Sequence, residues 1–175
     1  VGSTFSLLLP ERQNCAANTI RENALIMELS EKADENEAAE KQEKSVPKFN
    51  GRRVIYVEDN WSNQFLVERA ITNMPGLELK CVSDAKVGVE LAKKEQPDLI
   101  LMDINLPGMN GFEALDILRK DVDTAAIPVV ALSAKALQSD IEAGLNAGFR
   151  YYLTKPLNIP NLLETIETIL EEYII

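Results

Sequence analysis

Five short apolar runs recur along this chain, and every segment that separates or follows them has a helical pattern. The runs are RRVIYVE (52–58), LELKCV (77–82), DLILMD (98–103), IPVVALS (127–133) and FRYYLTK (149–155), three of them rich in Val and Ile. Amphipathic stretches cover about 62–73, 85–95, 111–121, 135–147 and 161–173. In the last of these Leu162, Ile166, Ile169 and Tyr173 recur at three- and four-residue steps, which gives one buried stripe. Strands that alternate with helices build βαβ units and hence a parallel sheet. The middle runs are apolar on both faces, as a sheet covered by helices on each side requires. The expectation is one doubly wound α/β domain of five parallel strands and five helices, spanning 51–175.

Composition narrows what such a domain can do. The chain is 46% apolar, enough for a true core, and its net charge of −10 argues against nucleic acid or anionic membranes as partners, since both are held by Lys and Arg patches. Two lone cysteines, Cys15 and Cys81, make neither a metal site nor a disulfide framework, which favours a reducing, cytoplasmic location. The longest aliphatic stretches, such as 99–102, are a fraction of a membrane span, and no cationic segment precedes Leu7–Leu9 to make a signal peptide.

Upstream of the alternating pattern the texture changes. Residues 11–50 end in EKADENEAAEKQEKSVPKFN, which is charged, lacks aromatics until Phe49 and is broken by Pro47, so 31–45 reads as a solvated linker. Before it, Thr19 and Glu22 fit a capping box, and Ile20, Ala24 and Met27 recur at helical spacing, which suggests a short helix within the tether. The first ten residues, VGSTFSLLLP, read as one isolated strand in which Phe5, Leu7 and Leu9 alternate with Thr4, Ser6 and Leu8. A lone strand is not stable in water, so its partners are expected in sequence outside this chain.

Ligands of doubly wound sheets bind beyond the carboxyl ends of the strands, so the residues closing each run matter most. Glu58 and Asp59 follow the first, Asp103 ends the third, Ser133 the fourth and Lys155 the fifth, whereas the second ends in Val82 and Ser83. With strand order 2-1-3-4-5 the first and third strands are neighbours and three carboxylates converge. Three negative charges against the one positive charge of Lys155 leave −2 in one cleft. Like charges within ~4–6 Å raise one another's pKa unless a cation intervenes. Mg²⁺ suits such a place, because it takes one or two carboxylates, keeps waters and leaves room for phosphate oxygens. Asp103 is then the candidate nucleophile, a carboxylate able to form an acyl phosphate. Lys155 would stabilise charge on the transferring oxygens and Ser133 would hydrogen-bond one of them. An Asp at a strand end is more commonly a helix cap, and a Ser or Lys there is more commonly structural. Their joint occurrence, each closing a different strand, favours the chemical reading.

The segments VIYVEDN, LILMDINLPGMNG, VVALSA and YYLTKPL, in this order and spacing, resemble the receiver domain of two-component response regulators and hybrid histidine kinases. That resemblance implies a flavodoxin-like receiver fold with Asp103 as phosphoacceptor. It implies that Glu58 and Asp59 hold Mg²⁺ together with the backbone carbonyl of Asn105, Asp59 being the direct acidic ligand, and that Ser133 and Lys155 contact the phosphoryl group. Tyr152 takes the switch-aromatic position, acting with Ser133, and a cis peptide precedes Pro156. Asn105 and Lys135, two residues beyond Asp103 and Ser133, are the expected tuning positions for hydrolysis. Ser133 stands where Thr is commoner, and Glu58 where Asp is commoner.

VGSTFSLLLP resembles the last strand of the histidine-kinase ATP-binding domain. The resulting expectation is a remnant of that domain over 1–10, an acidic, partly helical linker over 11–50 and a receiver over 51–175. The parent would be a hybrid sensor kinase, itself a protein-histidine kinase, whose core supplies the phosphoryl group from a phosphohistidine. This chain has no histidine of its own. A separate histidine phosphotransfer protein would be the onward partner, and the receiver would contribute self-phosphorylation and autodephosphorylation. Two other readings use the same residues: a pseudo-receiver that binds without being phosphorylated, and a phosphatase of the haloacid-dehalogenase type. The second wants an Asp two residues after its nucleophile, where this chain has Asn105.

Overall fold

The computed structural model describes residues 48–172. The expectations for 1–47, an isolated strand, a short helix and an acidic tether, lie outside the described residues, as does Tyr173. Five strands, β1 (Arg52–Val57), β2 (Leu77–Val82), β3 (Leu99–Asp103), β4 (Val129–Ser133) and β5 (Tyr151–Thr154), alternate with α1 (Trp61–Ile71), α2 (Ala85–Glu95), α3 (Gly111–Lys120), α4 (Gln138–Ala147) and α5 (Ile159–Glu172). The sheet is wholly parallel, in the order β2-β1-β3-β4-β5. Both the order and the count of elements agree with the sequence-based expectation.

Residue alternation explains why helices cover both faces. Ile55, Val57, Ile100, Met102, Val129 and Ala131 point into one core with Val89, Leu115 and Leu118 of α2 and α3. Val54, Tyr56, Leu99, Leu101, Val130 and Leu132 point into the other, with Val67 and Ile71 of α1 and Leu162, Ile166, Ile169 and Leu170 of α5. β3 and β4 are buried at every position, so polar residues appear only where these strands end. Each large aliphatic side chain so buried contributes about 1.5–3 kcal/mol relative to exposure. No described helix is long and apolar enough to cross a membrane.

Caps set most helix starts. Asn60 accepts from the backbone N–H groups of Ser62 and Asn63, Asp84 from those of Lys86 and Val87, and Asn110 forms a reciprocal capping box with Glu113. The exception is α4, which begins at Gln138 rather than at the expected Lys135. Its N-cap is Leu137, with no side-chain cap, and Ser133 Oγ accepts from the Lys135 N–H instead.

The packed region also starts earlier than residue 51. Phe49 is buried in the core that also holds Met74, Ile166 and Leu170, because the first aromatic ring after the charged stretch gains more in the core than in water. Lys48 lies over the Phe49 ring at 5.2 Å and pairs with Glu171 at 2.7 Å.

Candidate functional site

The chain leaves β1 for β2 on one side and returns to β3 on the other, so the loops beyond β1 and β3 diverge and open a cleft. Val57 is in register with Met102, which brings the residues after them, Glu58 and Asp103, side by side. Oxygens of Glu58, Asp59 and Asp103 all lie within 4.8 Å of one another. Lys155 reaches in from the end of β5, its Nζ 2.6 Å from Glu58 Oε2 and 2.7 Å from Asp103 Oδ2, and the Lys155–Pro156 peptide is cis. Gly111 permits the tight return of α3 beneath this corner: a Cβ there would stand 2.6 Å from the backbone oxygen of Asp103.

The three carboxylates are held very differently. Glu58 is fully buried and accepts four hydrogen bonds: Tyr56 Oη (2.9 Å) and Lys155 Nζ (2.6 Å) on Oε2, Asn63 Nδ2 (2.9 Å) and the Asn60 N–H (3.4 Å) on Oε1. The Gln64 side chain also donates to the Glu58 carbonyl at 2.5 Å. Burial pushes the Glu58 carboxyl up, but bonds from Lys155, Asn63 and Tyr56 outweigh it and hold the group below its ordinary range. Burial likewise pushes the Lys155 ammonium down, and Asp103 and Glu58 more than reverse this, leaving it above its ordinary value. Tyr56 is driven upward by burial and by the Glu58 charge, so it stays a neutral donor. Asp103 is 4% exposed, with Oδ1 accepting from the Asn105 N–H at 2.9 Å and Oδ2 from Lys155. Asp59 is exposed and makes no hydrogen bond or ion pair among the described residues. The donors are all oxygen, the negative charge is in excess, and the outermost carboxylate is free. A hard divalent cation fits that set.

Of the remaining expected residues, Asn105 touches this group through its backbone N–H, and no hydrogen bond among the described residues joins Ser133, Tyr152 or Lys135 to it. Ser133 is fully buried, and its hydroxyl accepts from the Lys135 N–H at 3.1 Å. Tyr152 is half-buried and donates to the Lys135 carbonyl at 3.3 Å. Its ring lies against α4 where only glycine fits, since a Cβ on Gly144 would come within 2.5 Å of Tyr152 Cδ2. The side chains of Asn105 and Lys135 are exposed at the rim.

Residues 54–167 match the response regulator receiver domain family. The chain belongs to that family. It is 38% identical over 118 residues to protein PilH of Pseudomonas aeruginosa, covering 67% of this chain and 97% of that protein. It is 36% identical to the polar-differentiation response regulator DivK of Brucella anthropi, covering 68% and 96%. Among solved structures it resembles the receiver domain of sensor histidine kinase PA1611 from Pseudomonas aeruginosa, with 33% identity and a TM-score of 0.63 over 69% of this chain and 98% of that one. That structure holds a magnesium ion coordinated in its active-site cleft.

Several residues that shape this receiver's cleft escape a reading of strand ends alone. None of Tyr56, Asn63, Gln64 and Gly144 closes a strand. Tyr56 had a signal, because strand alternation puts it on the same face as Glu58 and it carries the one hydroxyl among Val54, Ile55 and Val57. Gly144 had none.

Proposed function

We propose that this receiver is a phosphoacceptor in a two-component phosphorelay, taking a phosphoryl group onto Asp103 and switching conformation in response. The observation that carries this reading is the buried Asp103 carboxylate, anchored on one oxygen by the Asn105 N–H and on the other by Lys155, within a cleft of excess negative charge. Asp59, Asp103 and the backbone carbonyl of Asn105 are the groups to ligate Mg²⁺, with Asp59 the direct acidic ligand, and Glu58 helps hold it by adding its charge beside them. When bound, the ion supplies charge neutralisation for an incoming phosphoryl group. An Asp103 oxygen attacks phosphorus in line, an O–P bond forms, and the P–N bond to the donor phosphohistidine breaks with its electron pair staying on the imidazole. Lys155 is placed to follow the charge onto the phosphoryl oxygens.

Ser133 accepts a hydrogen bond and keeps its own proton, so its hydroxyl can donate to a phosphoryl oxygen. Moving Ser133 towards Asp103 pulls on Lys135, to whose carbonyl Tyr152 is bonded, which couples phosphorylation to the α4–β5–α5 face. Asn105 and Lys135 flank the path of an attacking water and tune the lifetime of the acyl phosphate. The donor is a histidine-kinase core, read as part of a hybrid parent ending its ATP-binding domain at residues 1–10, and a histidine phosphotransfer protein takes the group onward. Likeness to the receiver of a sensor histidine kinase supports that context. A cytoplasmic location follows from the same reading.

Incubation with acetyl phosphate and Mg²⁺ tests it. Stoichiometric labelling that is lost on Mg²⁺ chelation is the expected result. No labelling favours a pseudo-receiver, and rapid turnover of many phosphomonoesters favours a phosphatase.

A further inference from the structure

We infer that Tyr56 and Asn63 are cation-selectivity residues, holding Glu58 away from direct ligation so that the cleft favours Mg²⁺ over the larger Ca²⁺. This rests on the metal-binding reading above. A carboxylate offers about four lone-pair sites, and all four on Glu58 are taken, by Tyr56, Lys155, Asn63 and the Asn60 N–H. The contrast with Asp59 is complete, for that carboxylate is exposed and has no partner among the described residues. Two of the four bonds to Glu58 come from side chains that touch neither Asp59 nor Asp103 in any hydrogen bond. Tyr56 is fully buried and its hydroxyl has Glu58 as its hydrogen-bond partner, so the hydroxyl has no other evident role.

The consequence follows from coordination chemistry. Mg²⁺ demands six ligands at short range and keeps its waters, so a site with two available carboxylates suits it. Ca²⁺ takes six to eight oxygens and gains from an additional or bidentate carboxylate. A Glu58 released from Tyr56 and Asn63 could turn one or both oxygens to the ion. The pair therefore acts as positioning residues, working through Glu58 rather than touching the cation.

Isothermal calorimetry of the full chain with MgCl₂ and with CaCl₂ tests this, using Tyr56→Phe, Asn63→Ala and the double variant. The expected result is a ratio of Ca²⁺ to Mg²⁺ affinity that rises in each variant and by about tenfold in the double, the scale on which supporting residues change metal affinity. Glu58→Gln added to the double variant should cancel the rise, which a merely structural role for Tyr56 and Asn63 would not produce. Melting curves certify each fold. Asn63→Ala lies on a helix that favours Ala, so it carries the test alone if Tyr56→Phe proves unstable. A ratio unchanged in folded variants that still bind Mg²⁺ overturns the inference and leaves the metal reading standing. Absence of Mg²⁺ binding by the wild-type chain overturns both.

Discussion

β1 is six residues long, and its two ends treat charge in opposite ways. At the N-terminal end Arg52 pairs with Asp98 at 2.6 Å, and the other Asp98 oxygen accepts from the Arg53 N–H at 2.8 Å. Nearby, Arg119 donates to the carbonyls of Ala125, Ile127 and Gly148, tying the α3 end to the entries of β4 and β5. Asp98 is matched there by Arg52, and the arginines fasten loops. At the C-terminal end Glu58, Asp59 and Asp103 meet Lys155 as their ion-pair partner among the described residues, which leaves negative charge in excess there. The first rim fastens loops, and the second leaves the Asp59 carboxylate without a partner among the described residues.

The sharpest break of this contrast is Asp103→Asn. It keeps shape and hydrogen-bonding capacity but removes the nucleophile, so labelling by acetyl phosphate should fall to background while the circular dichroism spectrum stays that of the wild type. Labelling at the wild-type rate would move the acceptor elsewhere. Next in size is Asp59→Ala, which should weaken Mg²⁺ binding at least about tenfold by calorimetry. It also removes a like charge from beside Glu58 and Asp103, so the metal-free variant should melt higher than the metal-free wild type. A lower melting temperature would mean that Asp59 is structural and the imbalance is not real.

Much of this rim was legible because parallel strands buried on both faces leave polar residues nowhere to go but their ends. Glu58, Asp103, Ser133 and Lys155 stand out against VIYV, LILM, VVAL and YYLT for that reason. The parallel sheet followed from the alternation of elements, since each crossover must be long enough for a helix, whereas the order 2-1-3-4-5 entered only as a condition on where the carboxylates meet. Helix starts were legible where Asn60, Asp84 and Asn110 supply caps, and not at α4, where the chain has none. Tyr56 was hidden by its success as a core residue, since an aromatic ring in an apolar run reads as packing until its hydroxyl is given a direction. Gly144 was hidden because its role is an empty space, set by a ring eight residues away that reaches it only through the fold. Phe49 was assigned to the linker by the charged residues before it, although its own ring belongs to the core.

A change at the matched rim should have the opposite signature. Asp98→Ala removes the partner of Arg52 and leaves the Arg53 N–H without its acceptor, so it should lower stability by about 1–2 kcal/mol in urea denaturation. Labelling of the folded variant should be unchanged. A loss of labelling in the native state would show that the two rims are coupled through β1.

The smallest effect expected is a near absence of one, in the pH dependence of stability. Glu58 is held below its ordinary value of 4.5, so its contribution is present above that pH and is lost as pH falls through the lower folded value. Lys155 is held above 10.5, so its contribution is present below that pH and is lost as pH rises through the higher folded value. The side chain that ordinarily titrates between about pH 5 and 8 is His, and this chain has none. Cys81, the described thiol, is pushed up to about 12 by burial and by Glu68, which keeps it neutral over the same span. The melting temperature of the metal-free protein should therefore hold nearly level between about pH 6 and 8 and fall only in acid below about 4.5 and in strong alkali. Removing the charge with Glu58→Gln should flatten the acid limb, because the proton uptake that drives it is gone. Asp98→Ala should lower the whole curve, since it removes the partner of Arg52 and the acceptor of the Arg53 N–H. An acid limb of unchanged steepness in Glu58→Gln would place the proton-linked stability outside the cleft and remove the distinction between the two ends of β1.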